Sequence, residues 1–267
     1  MKHNYSLEHK KYLRKLTAEN LVIHFCQVAL LVALILLWEV MANSGIVDPF
    51  ITSSPSRIVK QLIALIQSGS LWQHVGITLY ETVLAFAIST LLGSIIAVVL
   101  FMFTPLKRIL EPYLVVLNSL PKIALGPLII IWMGVGTKAI VTMGVLICIV
   151  ITTISMLNGF CAIEDEKILL LKSMGANKMQ ILFKLILPAS LPNFISVLKI
   201  NVGMAWVGVI MGEYLSSQAG LGYLLVYGGQ VFQLDLVITT ILVLSILAAL
   251  LYVLIAILEY GVNKKRK

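Results

Sequence analysis

Residues 164–192 read EDEKILLLKSMGANKMQILFKLILPASLP, a charged and glycine-broken stretch set between two long apolar runs. Glu164, Asp165 and Glu166 stand where acids favour a helix N-terminus, and Lys172 stands near the other end, where a cation does. Gly175 suits the left-handed position that closes a helix. Asn177 followed by Gln180 at the third position reads as a capping box opening a second helix. Met179, Leu182, Phe183 and Ile186 follow at i, i+3, i+4, i+7, until Pro188 and Pro192 interrupt the path into the next apolar run. The pattern predicts a helix, a glycine corner and a second, amphipathic helix. The first helix carries Ile168, Leu169, Leu170, Leu171 and Met174 within seven residues, too apolar for water, so lipid headgroups or another protein must cover it.

The chain around this stretch has 267 residues, 60% hydrophobic and 12% charged. Soluble domains average about 45–50% apolar and about 25% charged, so the solvent here is lipid. Six runs near 21–42, 77–103, 113–133, 139–157, 193–213 and 235–258 are long enough to cross a hydrocarbon core as helices. The run at 21–42 is too long for a signal-peptide core and reads as a retained first helix. The expected division is a basic N-terminus (1–20), a first span (21–42), an outer segment (43–76), a core (77–260) holding a cytoplasmic loop at 158–192, and a basic tail (261–267).

The net charge of +8 comes from basic residues gathered at the ends of apolar runs, which points to the bilayer and away from nucleic acid. Fifteen Lys and Arg residues lie on the side of the N-terminus and three (Arg57, Lys60, Lys138) on the other, placing both termini in the cytoplasm. On the outer side, SPSRIVKQLIALIQSG (54–69) sets Ile58, Leu62, Ile63 and Ile66 at helical spacing, a short amphipathic helix. The three cysteines show no pairing or metal-ligand spacing, and no catalytic or metal-binding grouping appears. No G-x-x-x-x-G-K-[ST] phosphate loop occurs, because GVGTK at 134–138 has the wrong spacing.

Polar residues inside spans are costly in lipid and often functional. Pro121 and Lys122, with Pro127 nearby, mark a segment that is either partly unwound along a cavity or has Lys122 snorkelling to headgroups. Asn201, Trp206 and Glu213 in the fifth run are candidates for a translocation pathway, Asn201 and Trp206 with plain helix packing as the alternative. The Gly-rich segment 214–234 that follows either re-enters the membrane or forms a loop. Gly208 and Gly212 form a G-x-x-x-G step, with Gly203 nearby, for close approach to a helix of this chain or of a second copy. His24, Glu39, Glu81 and Glu259 lie near span ends, where snorkelling is the default.

GANKMQILFKLILPASLP (175–192) resembles the cytoplasmic signature of ABC importer permeases: EAA, three residues, Gly, nine residues, Ile, one residue, Leu-Pro. Gly175 and the Leu187–Pro188 pair match, Leu185 replaces the Ile, and Leu169–Leu171 occupy the EAA position without its carboxylate. SLPKIALGPLIIIWMGVG (119–136), GEYLSSQAGLGYLL (212–225) and SSPSRIV (53–59) are similar to the nitrate, sulfonate and taurine branch of that family. The resemblance implies an all-α polytopic membrane protein with a type I permease core, an additional N-terminal helix and a cytoplasmic coupling helix. It further implies a second permease copy, two cytosolic ATPase subunits that bind ATP-Mg, and an extracytoplasmic binding protein in a prokaryotic cell membrane. No cofactor then belongs to this chain, and the substrate is a small anion such as nitrate, a sulfonate or taurine, or a thiamine-precursor pyrimidine. The ATPase-coupling residues would be Ile168, Leu169, Leu170, Leu171, Lys172, Ser173, Met174, Gly175 and Ala176. A self-sufficient secondary transporter or channel, or a membrane scaffold, is the rival expectation.

Overall fold

The computed structural model describes residues 7–46 and 49–264, so the first residues of the basic N-terminus (1–6) and the end of the basic tail (265–267) lie outside the described residues. Among the described residues there is no strand. Among the described residues five helices are long and apolar enough to cross a membrane, or six where a bent pair counts as one span.

The chain divides into two compact units, 1–64 and 65–267. In the first, α1 runs unbroken over Leu7–Asn43, so the basic segment and the first span form one helix. Its described side chains are exposed nearly all round. That is the pattern of a helix whose solvent is lipid. A four-residue turn, α2 (Pro49–Thr52), leads to α3 (Pro55–Gln67). The carboxylate of Glu39 in α1 accepts from the Ser56 backbone N–H at 3.0 Å and from its hydroxyl at 2.7 Å, while Asn43 donates to it at 2.9 Å. Glu39 therefore helps cap the start of α3, beside the Ser54 hydroxyl that accepts from the Arg57 N–H at 3.4 Å, and does not snorkel. Along α3 the buried residues are Ile58 and Leu65, with Leu62 half-buried, whereas Ile63 and Ile66 are exposed. The buried stripe is thus 58/62/65, one step away from the expected 58/62/63/66.

The second unit is built on α4 (Ser70–Met102), α7 (Thr137–Cys161) and α11 (Leu191–Ser216). Small residues sew these three together. A Cβ added at Gly208 would lie 2.7 Å from the Gly144 Cα, and one at Gly212 would lie 2.9 Å from the Ile140 Cα. The G-x-x-x-G step is therefore spent on α7 of the same chain. A Cβ added at Gly203, expected to share that role, would meet nothing within 4 Å in this chain. Across the seam, Asn201 accepts from the Thr152 hydroxyl at 2.9 Å and donates to the Thr90 hydroxyl at 3.1 Å, tying all three helices. α13 (Leu234–Lys264) packs on α11, where Lys199 and Glu259 form an ion pair and the Lys199 ammonium lies 5.8 Å from the Tyr252 ring centre. Glu259 thus has a partner within the bundle and does not snorkel.

The expected continuous span at 113–133 is two helices. α5 (Thr104–Ser119) and α6 (Gly126–Met133) flank a 3-10 turn over Lys122–Leu125, and the two arms are bent by 85°. Pro121 and Pro127 lack the N–H groups a continuous ladder needs, so the helix opens between them. Lys122 donates from Nζ to the Asn118 carbonyl at 3.1 Å, satisfying an acceptor freed at the end of α5.

Candidate functional site

The stretch at 164–192 forms the corner its residues predict. α8 (Asp165–Ser173) ends on Gly175, whose φ of 80° is the left-handed value. Its N–H bonds the Lys172 carbonyl at 2.9 Å and the Ala176 N–H bonds the Leu171 carbonyl at 3.0 Å, the paired bonds of a Schellman stop. Two residues on, Asn177 and Gln180 exchange side-chain-to-backbone bonds of 2.8 Å each way, a complete capping box for α9 (Lys178–Ile181). The prolines do not stop the chain here. Pro188 cannot donate, and the helix widens into a π turn over Leu182–Ile186 before α10 (Leu187–Ala189) runs on to α11.

Burial splits the apolar residues of this corner. Ile168, Leu171 and Ala176 pack onto a core of Leu100, Phe160, Ile181, Leu182 and Ile186. Leu169, Leu170 and Met174 stay 67%, 61% and 74% exposed, on the opposite side of α8. Met179 and Phe183 are also exposed, so the expected single stripe of Met179, Leu182, Phe183 and Ile186 is divided between core and surface. Among residues 168–176, Ile168 and Leu171 therefore support the corner from within. Leu169, Leu170, Lys172, Ser173, Met174 and Gly175 form its exposed side.

The candidates for a translocation pathway separate in the same way. Asn201 and Glu213 are 0% and 1% exposed and bonded to neighbouring helices of the same chain. Trp206 is buried at the base of a shallow groove between α11 and α13, lined also by Lys199, Gly203 and Tyr252. Pro121 and Lys122 stand at the bend between α5 and α6, with Pro121 exposed and Lys122 half-buried. Glu81 is buried in α4, one turn beyond Thr78, contrary to the snorkelling expected of it.

The segment 214–234 is not a plain loop. It contains α12 (Leu221–Gln230), a ten-residue helix packed on α4, α11 and α13 at the end of the bundle that holds Glu213. The three-way contact of Glu213, Thr78 and His74 with this segment has no signature in the sequence, because 135 residues separate Thr78 from Glu213. The phrase GEYLSSQAGLG, with glycines placed where a carboxylate must approach backbone, is the one trace it leaves.

Comparison with known proteins agrees with this architecture. The family profile described as "Binding-protein-dependent transport system inner membrane component" matches residues 89–266. A probable ABC transporter permease protein of Haemophilus influenzae is 32% identical over 219 residues, covering 82% of this chain and 89% of its own length. The taurine transport system permease protein TauC of Escherichia coli is 26% identical over 226 residues, covering 83% and 82%. The formylaminopyrimidine transport permease protein ThiX of Halalkalibacterium halodurans is 32% identical over 190 residues, covering 71% and 75%. Among solved structures, a chain of the methionine ABC transporter MetNI in an inward-facing conformation superposes with a TM-score of 0.63 at 21% identity, over 72% of this chain and 97% of that one. At that identity the likeness is one of fold. A self-sufficient transporter or a scaffold is set aside by these relationships. The chain belongs to the family of binding-protein-dependent transport inner membrane components, the membrane-spanning permease subunits of ABC importers.

Proposed function

We propose that the α8 corner is the site at which this permease receives the work of ATP hydrolysis from a separate subunit. Family membership brings an ATPase and a substrate-binding protein as partners, and the chain's own sequence has no phosphate loop. The observation that carries the reading is the outward face of Leu169, Leu170 and Met174 on a helix closed at its C-terminal end by a Schellman stop, with a capping box opening the next helix directly after it. A rigid, apolar, exposed helix anchored in the core through Ile168 and Leu171 transmits a push where a flexible loop would absorb it. Moving a two-state transporter from 1:99 to 99:1 takes about 5.5 kcal/mol of differential stabilisation, which closure of paired ATPases supplies through such a lever.

In this reading the corner and both termini face the cytoplasm, two copies of the permease pair with two ATPases, and the passage lies between the copies. The bent α5–α6 span, whose first arm has no buried side chain, is the surface available to line it. The names of the relatives (taurine, aliphatic sulfonates, formylaminopyrimidine) support a small organic sulfonate or pyrimidine delivered by the binding protein as substrate. Replacing residues 164–176 with a polar linker tests the coupling site. The inserted permease should lose its cognate ATPase on co-purification, and retention of the ATPase at wild-type level would defeat the assignment.

A further inference from the structure

The end of the bundle opposite α8 holds a polar cluster that the coupling scheme does not use. Three consecutive amides at the start of α12 are bound by side chains of α4 and α11. The Gly220 N–H donates to His74 Nδ1 at 2.9 Å, the Leu221 N–H to the Thr78 hydroxyl at 2.8 Å, and the Gly222 N–H to Glu213 Oε2 at 2.6 Å. The Thr78 hydroxyl donates in turn to Glu213 Oε1 at 2.6 Å, so one carboxylate is shared by two helices. These are amides that a helix start leaves without partners, and a carboxylate is the acceptor its dipole favours.

The fit leaves no slack. Gly220 has φ 110°, and a Cβ on it would collide with the Glu213 carboxylate. A Cβ on Gly222 would lie 2.6 Å from the Glu213 Cβ and 2.7 Å from the Ile210 carbonyl. Alongside, the His74 ring stacks on Tyr223 with centres 6.1 Å apart, and Tyr223 stacks on Tyr227 at 6.0 Å. Glu213 itself is 1% exposed. A buried carboxylate bonded through both oxygens and closed in by glycines is costly to pull apart, because the separated carboxylate and the Gly222 N–H would each lose a bond in a largely buried site.

We propose that Glu213 is a positioning residue that locks α12 to α4 and α11, so that rocking of these helices during transport carries residues 217–230 with them as one body. The proposal rests on the importer reading for the motion and on Glu213, Thr78 and His74 for the lock. It gives the outer segment no independent hinge at its N-terminal end.

Two measurements on the permease in nanodiscs test it. Hydrogen exchange, with no ATPase added, reads the lock: Glu213→Gln should speed exchange at residues 220–224 at least tenfold and leave the α7 peptides unchanged. Unaltered exchange in this variant overturns the lock, and His74→Ala, which removes one anchor without touching the carboxylate, should give a smaller acceleration at the same residues even where Glu213→Gln fails to insert. Labelling of Gln230→Cys by a membrane-impermeant maleimide, in a background of Cys26→Ser, Cys148→Ala and Cys161→Ser, reads the motion. With the cognate ATPase bound, its rate should differ between the nucleotide-free and ATP–vanadate states, and that difference should collapse in the Glu213→Gln background. Equal rates in both states of the otherwise wild-type protein, or a difference that survives Glu213→Gln, overturn the claim that α12 rides with the bundle. A permease that fails to bind the ATPase defeats the importer coupling instead, and the exchange result then judges the lock alone.

Discussion

Paired truncation of Leu170 and Met174 to alanine tests whether the corner is gripped by another protein. Leu170 is 61% exposed and Met174 is 74% exposed, one helical turn apart on the outward side of α8. Full burial of such a side chain stabilises by about 1.5–3 kcal/mol, so seating the exposed part in an ATPase groove contributes about 1–2 kcal/mol for each. Loss of both removes about 2–4 kcal/mol, which at 1.4 kcal/mol per decade is a roughly 30- to 700-fold weaker Kd. The assay is titration of the nanodisc-embedded permease with its cognate ATPase subunit, read by microscale thermophoresis. Ile168→Ala is the internal control, since Ile168 packs on the bundle core. Its truncation should lower the thermal stability of the permease by about 1–3 kcal/mol while leaving the ATPase contact face intact. An unchanged Kd for Leu170→Ala/Met174→Ala would refute the reasoning, because this exposed apolar surface of the corner would then be buried by lipid and not by protein.

Gly208→Ala places a methyl group 2.7 Å from the Gly144 Cα and should destabilise the α7–α11 seam by about 1–3 kcal/mol, seen as an earlier midpoint in fluorescence-detected thermal scanning. Gly203→Ala, five residues away with open space at its Cβ position, should be neutral or stabilising by up to about 1 kcal/mol through helix propensity; equal loss in both variants would refute the assigned packing. Lys199→Met and Glu259→Met each strand a charge of an interhelical pair, so each alone should cost more stability in the same assay than the double variant, in which no charge is left unpaired.

What the sequence announces and what it hides divide by distance along the chain. The corner at 164–192 is legible because its devices are local. Gly175 closes a helix that Glu164–Glu166 open, and Asn177 with Gln180 opens the next within four residues, so every bond joins near neighbours. The Gly208–Gly212 step is half legible: its spacing shows that a helix approaches, and only the bundle shows that the helix is α7. Periodicity also overstates faces. In α3 and around Met179–Ile186 a run of apolar residues wider than one stripe admits several registers, and packing selects one.

Glu39, Glu81, Glu213 and Glu259 show where local reading ends. Judged by position alone, Glu39, Glu81 and Glu259 snorkel and Glu213 is a pathway candidate; in the structure Glu39 caps α3, Glu81 is buried, Glu213 binds the start of α12 and Glu259 pairs with Lys199, 60 residues away. The contacts of Glu39 and Glu259 are long-range, that of Glu213 spans nine residues, and each satisfies a group whose isolation in lipid would cost several kcal/mol. A carboxylate in a membrane helix is therefore better read as a demand for donors than as a surface residue misplaced. The place to seek those donors is a helix start: Gly220 and Gly222 meet that condition beside Glu213, and Ser56 at the start of α3 supplies its amide and hydroxyl to Glu39. Applied to this chain before folding, that rule pairs Glu213 with the start of α12 from GEYLSSQAGLG alone, and leaves Thr78 and His74 as the partners only three dimensions can supply.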